Sequence, residues 1–206
     1  MKNFQKIKNI IFDLGGVLFD LDGLETEKFF TNQGVKNIKE KISKIIISDW
    51  FRDFEIGKIS PDKFRQEFNK ICEINLNQET FNVGWNAMLT GYPKENQEFL
   101  EKISQNFNLY VLSNTNETHV EFLEQMAKWR KGLFKKIYYS NEIHLRKPDK
   151  ECFLFVLNDA GITPEETLFI DDRQDNIESA KLLGINTIHL TKRNELYQQV
   201  ENFFKQ

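Results

Sequence analysis

Polar residues that a buried framework has no use for stand at the ends of three short apolar runs. Ile10-Ile11-Phe12 leads into Asp13, Val111-Leu112 into Ser113 and Asn114, and Phe169-Ile170 into Asp171 and Asp172. A carboxylate at such a tip is a candidate nucleophile, and several carboxylates crowded together repel unless they share a cation. Magnesium, which prefers oxygen and is typically held by one or two carboxylates plus water and a substrate phosphate, suits that set. Lys147, in His144-Leu145-Arg146-Lys147-Pro148-Asp149 just ahead of a helix, adds a cation that meets phosphoryl oxygens. Ser113 and the backbone amides of the turn that follows it add neutral donors. A carboxylate nucleophile, a metal, a hydroxyl and a lysine are the parts of a phosphoryl-transfer site. Each also has a plainer reading: Asp13 as a turn residue, Asp171 and Asp172 as caps of the helix starting near Arg173, Lys147 as a solvated loop lysine. Arg146 reads as a surface or ion-pairing residue.

For those tips to meet, the runs must be neighbouring strands of one sheet. Asn9 to Leu14, Leu109 to Ser113, Ile137 to Tyr139, Leu168 to Asp171 and Asn186 to Leu190 are apolar without polar alternation, as in strands covered on both faces of a parallel sheet. Helical segments between them supply right-handed crossovers, so the chain reads as a doubly wound, Rossmann-like α/β core. In such sheets the ligand crevice lies beyond the carboxyl ends of the strands. Ser60-Pro61-Asp62 opens a helix carrying Phe64, Phe68 and Ile71, and Pro93 opens another through Phe99, Leu100 and Ile103. Gly161 closes a third, after Phe153, Val156 and Leu157.

From about Leu21 to Tyr92 the patterns are helix-like only, rich in Ile, Phe and Trp, as in Ile38 to Phe54. That is longer than one crossover requires. A helical subdomain over residues 19–92, inserted into a core of residues 1–18 and 93–206, is therefore expected. A merely structural helical layer would share the same pattern.

Of the 206 residues 40% are hydrophobic and 29% charged, which is a globular composition. With 28 basic against 31 acidic residues, a net charge of −3, there is no basic field to attract nucleic acid or an anionic membrane. Any phosphate must be held locally. The apolar run after Lys2, Lys6 and Lys8 is too short for a signal peptide, and no stretch approaches the ~20 apolar residues of a membrane span. Cys72 and Cys152 lie far apart without metal-ligand spacing and read as core thiols. The expectation is a cytoplasmic protein, monomeric or weakly dimeric, whose partner is a small phosphate ester.

Ile10-Ile11-Phe12-Asp13-Leu14-Gly15-Gly16-Val17-Leu18, Leu112-Ser113-Asn114-Thr115, Arg146-Lys147-Pro148-Asp149 and Phe169-Ile170-Asp171-Asp172 resemble, in that order, the four motifs of the haloacid dehalogenase-like hydrolase superfamily. The resemblance runs over essentially the whole chain. A long first interval and a short second one place the insert where that superfamily carries its helical C1 cap. The resemblance implies that Asp13 attacks phosphorus in line and forms an aspartyl-phosphate that water hydrolyses. It implies Mg²⁺ held by the Asp13 carboxylate, the Gly15 carbonyl and Asp172, with Asp171 acting through water and Asp175 a weaker outer candidate. Ser113, the Asn114 amide and Lys147 would hold the phosphoryl oxygens. Asp20-Leu21-Asp22, Ser113 to Asn116, Gly57-Lys58-Ile59-Ser60 and Gly84-Trp85-Asn86 resemble more narrowly the bacterial α-D-glucose-1-phosphate phosphatase branch, which implies a sugar phosphate.

One position departs from the superfamily's usual pattern. Two residues after the nucleophile most of its phosphatases carry a second Asp, the general acid and base; here it is Gly15, as in the narrower branch. Losing such a group costs about 10² to 10⁴ in rate. A slow or non-catalytic binding relative therefore stands as an alternative. A haloacid dehalogenase is a third reading, against which the retained Asp171 and Asp172 argue. His119, one turn into the helix after Ser113, is the candidate substitute proton carrier; it, His144 and His189 otherwise read as polar surface or helix-start residues. Trp50, Trp85 and the phenylalanines of the insert read as core, Asn86 as a candidate to face substrate, and Asp20 and Asp22 as helix caps or contacts to substrate hydroxyls.

Overall fold

The computed structural model describes residues 6–126 and 132–205, so Lys2 lies outside the described residues. The strands are β1 (Asn9–Phe12), β2 (Asp20–Leu21), β3 (Leu89–Gly91), β4 (Asn108–Ser113), β5 (Phe134–Tyr139), β6 (Thr167–Asp171) and β7 (Asn186–His189). The helices are α1 (Gly23–Asn32), α2 (Ile38–Ile46), α3 (Asp49–Glu55), α4 (Pro61–Cys72), α5 (Gln78–Asn86), α6 (Lys94–Ile103), α7 (Glu117–Gln125), α8 (Ser140–Ile143), α9 (Lys150–Ala160), α10 (Gln174–Leu182) and α11 (Leu196–Phe204).

Five strands form one parallel sheet in the order β5-β4-β1-β6-β7. Ile10, Phe12, Val111 and Ile170 face one side, where they pack with Leu100 of α6, Leu123 of α7 and Val200 of α11. Ile11, Leu112 and Phe169 face the other, with Phe153 and Val156 of α9 and Ile177 of α10. Both faces of the central strands β1, β4 and β6 are thus covered, which explains why they lack polar alternation, whereas the edge strand β5 opens with exposed Lys135 and Lys136. The fold is the doubly wound, Rossmann-like α/β class.

Helices α1 to α5 share a separate apolar cluster. Phe30, Phe54, Phe64, Phe68, Phe81 and Trp85 are buried in it, with the rings of Phe54 and Phe64 stacked at 4.0 Å. Ser60 caps α4 by accepting from the Lys63 amide, and Pro61 occupies its first turn. The helix buries Phe64, Phe68 and Cys72, whereas Ile71, expected inward, is 37% exposed because it falls one step off the buried stripe. Ile38 to Phe54 is not one helix: the chain breaks at Ile47, 82% exposed, and Ser48 restarts it by capping α3.

The stretch from Leu21 to Tyr92 is not wholly helical either. β2 and β3 pair antiparallel, tying the entry and exit of the insert together. With two and three residues, these strands are too short to show a period.

The α3 corner docks on the core. Arg52 pairs with Asp149 at 2.6 Å and Arg146 lies 3.2 Å from Glu55. Ser140 Oγ donates to the Glu55 carbonyl at 2.7 Å, and His144 Nδ1 lies 2.8 Å from the Ile56 carbonyl. Arg146 is thus the ion-pairing residue the sequence suggested. Cys72 and Cys152 are both buried free thiols.

Candidate active site

The strand order sets β1 between β4 and β6, so the ends carrying Asp13, Ser113 and Asp171 are neighbours. Asp13 lies one residue past β1, and its amide donates to the Ile170 carbonyl at 2.8 Å. Lys147 reaches in from the loop between α8 and α9. Its Nζ is 2.8 Å from Asp13 Oδ1 and 2.6 Å from Asp171 Oδ2, with 1% of the side chain exposed. The Asn114 side chain fixes the lysine's backbone, accepting from its amide at 2.9 Å and donating to its carbonyl at 2.8 Å. Solvated-lysine geometry is excluded.

Asp171 is held from several sides. Besides Lys147 it accepts from the Arg173 amide at 2.8 Å and from Asn176 Nδ2, 3.0 Å from both of its oxygens. Asn176, buried at the start of α10, was not singled out from sequence. Its place in the first turn of the helix after Asp171-Asp172 is the signal that would have found it. Asp172 is exposed beside it, and its Oδ2 stands 2.7 Å from where a side-chain carbon on Gly16 would sit. Gly16 has φ +75°, so glycine is required there on both grounds.

One oxygen from each of Asp13, Asp171 and Asp172 lies within 4.8 Å of the others. Three carboxylates against one ammonium leave two negative charges uncompensated, and the donor set is all oxygen. This fits a hard divalent cation such as Mg²⁺. Burial pushes the Asp13 carboxyl up to about 7, with Lys147 opposing and Asp171 adding to the rise. Asp172, though exposed overall, has a partly desolvated carboxyl, and this and the neighbouring Asp171 push its pKa up. For Lys147 burial works downward, but the two carboxylates at its Nζ outweigh it and hold the ammonium above its ordinary range.

The other sequence candidates separate. Asp175 is bound by the Arg173 guanidinium at 2.7 Å. Asp22 caps α1, accepting from the Leu24 amide at 2.9 Å, and Asp20 pairs with Arg193. Asn86 does not present its carbonyl oxygen to an open space: Oδ1 is 2.7 Å from His119 Nδ1. The His119 ring stacks on Trp85, centroids 5.9 Å apart, and burial pushes its pKa down to about 4. A neutral ring so engaged is a poor general acid at neutral pH, which argues against His119 replacing the missing Asp. Trp85 is core, as expected, and Trp50 is packed against Phe64. His189 Nε2 lies 2.9 Å from the Asp172 carbonyl.

Gly15 has a neighbour that explains what a side chain there would meet. Leu21 Cδ1 lies 2.7 Å from the position of a β-carbon on Gly15. Beyond Gly15, a cavity of about 340 Å³ lies between the sheet ends and the helical insert, lined by Leu14, Gly15, Ser113 and Asn114 below and by Leu21, Phe51 and Trp85 above.

This parallel α/β core with an acidic, lysine-bridged crevice is the framework of a hydrolase. The haloacid dehalogenase-like hydrolase family profile matches residues 7–184. The chain is 30% identical over 186 residues to a D-ribitol-5-phosphate phosphatase of Bacteroides thetaiotaomicron, covering 88% of this chain and 90% of that one. It is 30% identical over 192 residues to a sesquiterpene phosphatase of Aspergillus oryzae, covering 89% and 90%. A haloacid dehalogenase family enzyme of Bacteroides thetaiotaomicron, solved in complex with magnesium and inorganic phosphate, superimposes with a TM-score of 0.80 at 33% identity, covering 88% of this chain and 93% of that one. The chain belongs to the haloacid dehalogenase-like hydrolase family, among its phosphatases.

Proposed function

We propose that this protein is a Mg²⁺-dependent phosphatase of a small phosphorylated metabolite, acting through an aspartyl-phosphate on Asp13. The observation that carries the reading is Lys147 Nζ bridging Asp13 and Asp171 at adjacent strand ends. The bridge holds one oxygen of Asp13 and leaves the other to attack. The new O–P bond forms as the ester P–O bond breaks, and the departing alkoxide takes its proton from a water molecule; water then attacks the acyl phosphate, releasing inorganic phosphate and restoring the carboxylate. Lys147, Ser113 and the Asn114 amide hold the phosphoryl oxygens. Asp13, Asp172 and the Gly15 carbonyl would hold the cation, with Asp171 anchored by Lys147 and Asn176 behind them. When bound, Mg²⁺ supplies positive charge against the phosphoryl oxygens.

Residues 19–92 act in this reading as a C1 cap over a core of residues 1–18 and 93–206, supported by the separate apolar cluster of the insert. Two buried free thiols suit a reducing cytoplasm, and among the described residues no helix is long and apolar enough to cross a membrane.

The relatives include a D-ribitol-5-phosphate phosphatase and a sesquiterpene phosphatase, and the motifs resemble a sugar-phosphate branch, so the substrate test spans these three kinds of ester. The test is phosphate release from a panel of all three kinds, including α-D-glucose 1-phosphate, with Mg²⁺ and with chelator, for the native protein and Asp13→Asn. We expect Mg²⁺-dependent release that the substitution abolishes. Full turnover by Asp13→Asn would remove the nucleophile. Silence across the panel from a folded native protein would favour the binding relative to which Gly15 points.

A further inference from the structure

The cavity above the crevice says what the phosphate is attached to. Its upper wall is Phe19, Leu21, Ile46, Phe51, Trp85 and Met88, and its floor is Gly15 with Ser113 and Asn114, so a phosphoryl group at Asp13 would direct its ester oxygen into apolar space. We propose that the leaving group is a hydrophobic alcohol, making the substrate an alkyl or isoprenoid monophosphate; this rests on the phosphatase reading above.

Recognition of a polyol requires several free donors and acceptors converging on its hydroxyls. Several polar side chains along this wall are already engaged, and among the described residues the buried wall atoms left without a hydrogen bond are Trp85 Nε1 and Glu55 Oε2, too few to satisfy a polyol. Thr26 Oγ1 donates to the Gly84 carbonyl at 2.9 Å and accepts from the Met88 amide at 3.1 Å. Asn116 Oδ1 accepts from the His119 amide at 3.1 Å, and His119 Nδ1 is at the Asn86 oxygen. Glu55 faces Arg146. A sugar placed here would lose water from its hydroxyls and gain few bonds in return.

Charge narrows the class further. Glu27 and Glu55 are the ionisable acids of the wall, and they disfavour a second phosphate or a carboxylate on the leaving group. The volume, about 340 Å³, corresponds to on the order of ten water molecules, which an apolar chain would displace. Each methylene sealed inside contributes about 0.8 kcal/mol, or roughly fourfold in apparent affinity.

The experiment measures kcat/KM with Mg²⁺ for n-alkyl monophosphates of increasing length and for geranyl monophosphate, against D-ribitol 5-phosphate and α-D-glucose 1-phosphate. We expect kcat/KM to rise about three- to fourfold per methylene until the cavity is full, ending at least tenfold above both polyol esters. Ile46→Asn, at a half-exposed wall position whose replacement leaves the core intact, should flatten that rise. Polyol esters turned over as well as or better than the long alkyl esters would overturn the inference and leave the phosphatase standing. Absence of release from every ester would overturn both.

Discussion

Leu21 Cδ1 occupies the space into which a side chain on Gly15 would grow, 2.7 Å from the β-carbon position. The group that most phosphatases of the family use to protonate the departing alcohol is therefore replaced by a methyl. Turnover should depend steeply on the acidity of the leaving alcohol, with phenyl phosphate faster than alkyl phosphates of equal size. Gly15→Asp alone must push Leu21 aside, and φ at this position does not forbid it. Combined with Leu21→Ala, it should raise the rate on alkyl esters by up to about 10² and flatten the dependence on leaving-group pKa. Steady-state kinetics over such a series checks both slopes.

Lys147 is a buried cation serving two buried carboxylates, so removing it strands both. Lys147→Met should cost about 3–5 kcal/mol in urea unfolding and abolish phosphate release. Adding Asp171→Leu should recover part of the stability and none of the activity. Recovery of activity would mean the lysine only neutralises Asp171.

His119 gives the stability a pH dependence with a definite sign. Its folded pKa of about 4 lies below the ordinary 6.5, so the unfolded chain binds the proton first as pH falls. The contribution is complete above about pH 6.5 and is lost as pH drops towards 4, amounting to about 2–3 kcal/mol. The difference in unfolding free energy between native protein and His119→Phe should shrink by that much between pH 7 and pH 4.5. A constant difference would show that the ring titrates normally.

Gly84 sits where α5 crosses α1, and a β-carbon there would run into the Phe29 and Phe30 rings. Gly84→Ala should destabilise by about 1–3 kcal/mol through overpacking, although alanine favours helix elsewhere. Thermal unfolding measures it. An unchanged midpoint would mean the two helices separate at little cost.

What could be read in advance was what burial and periodicity encode. The core strands showed as apolar runs, apart from the Phe134-Lys135-Lys136 start of β5, with Asp13, Ser113, Asp171 and Asp172 as polar residues at their ends and Lys147 in a loop ahead of a helix. What could not be read was set by tertiary proximity. The β2–β3 ribbon carries too few residues for a period, and it is the ribbon that brings Leu21 against Gly15. Asn114 drew attention for its backbone amide and not for the side chain that fixes Lys147, because that contact spans two loops. His119 read as a polar helix-start residue, yet the Trp85 ring across the interface makes it part of an aromatic stack.

The insertion of five helices between β1 and its partners also has a consequence during synthesis. β1 is complete by Phe12, but the strands on either side of it begin at Asn108 and Thr167. At about 5–20 residues per second, the central strand waits roughly 8–30 s for its second neighbour. The phenylalanine cluster of α1 to α5 draws only on residues already made. A ribosome-bound chain should therefore carry a collapsed helical module beside an unpaired, mainly apolar strand, a natural target for a chaperone that shields strand edges.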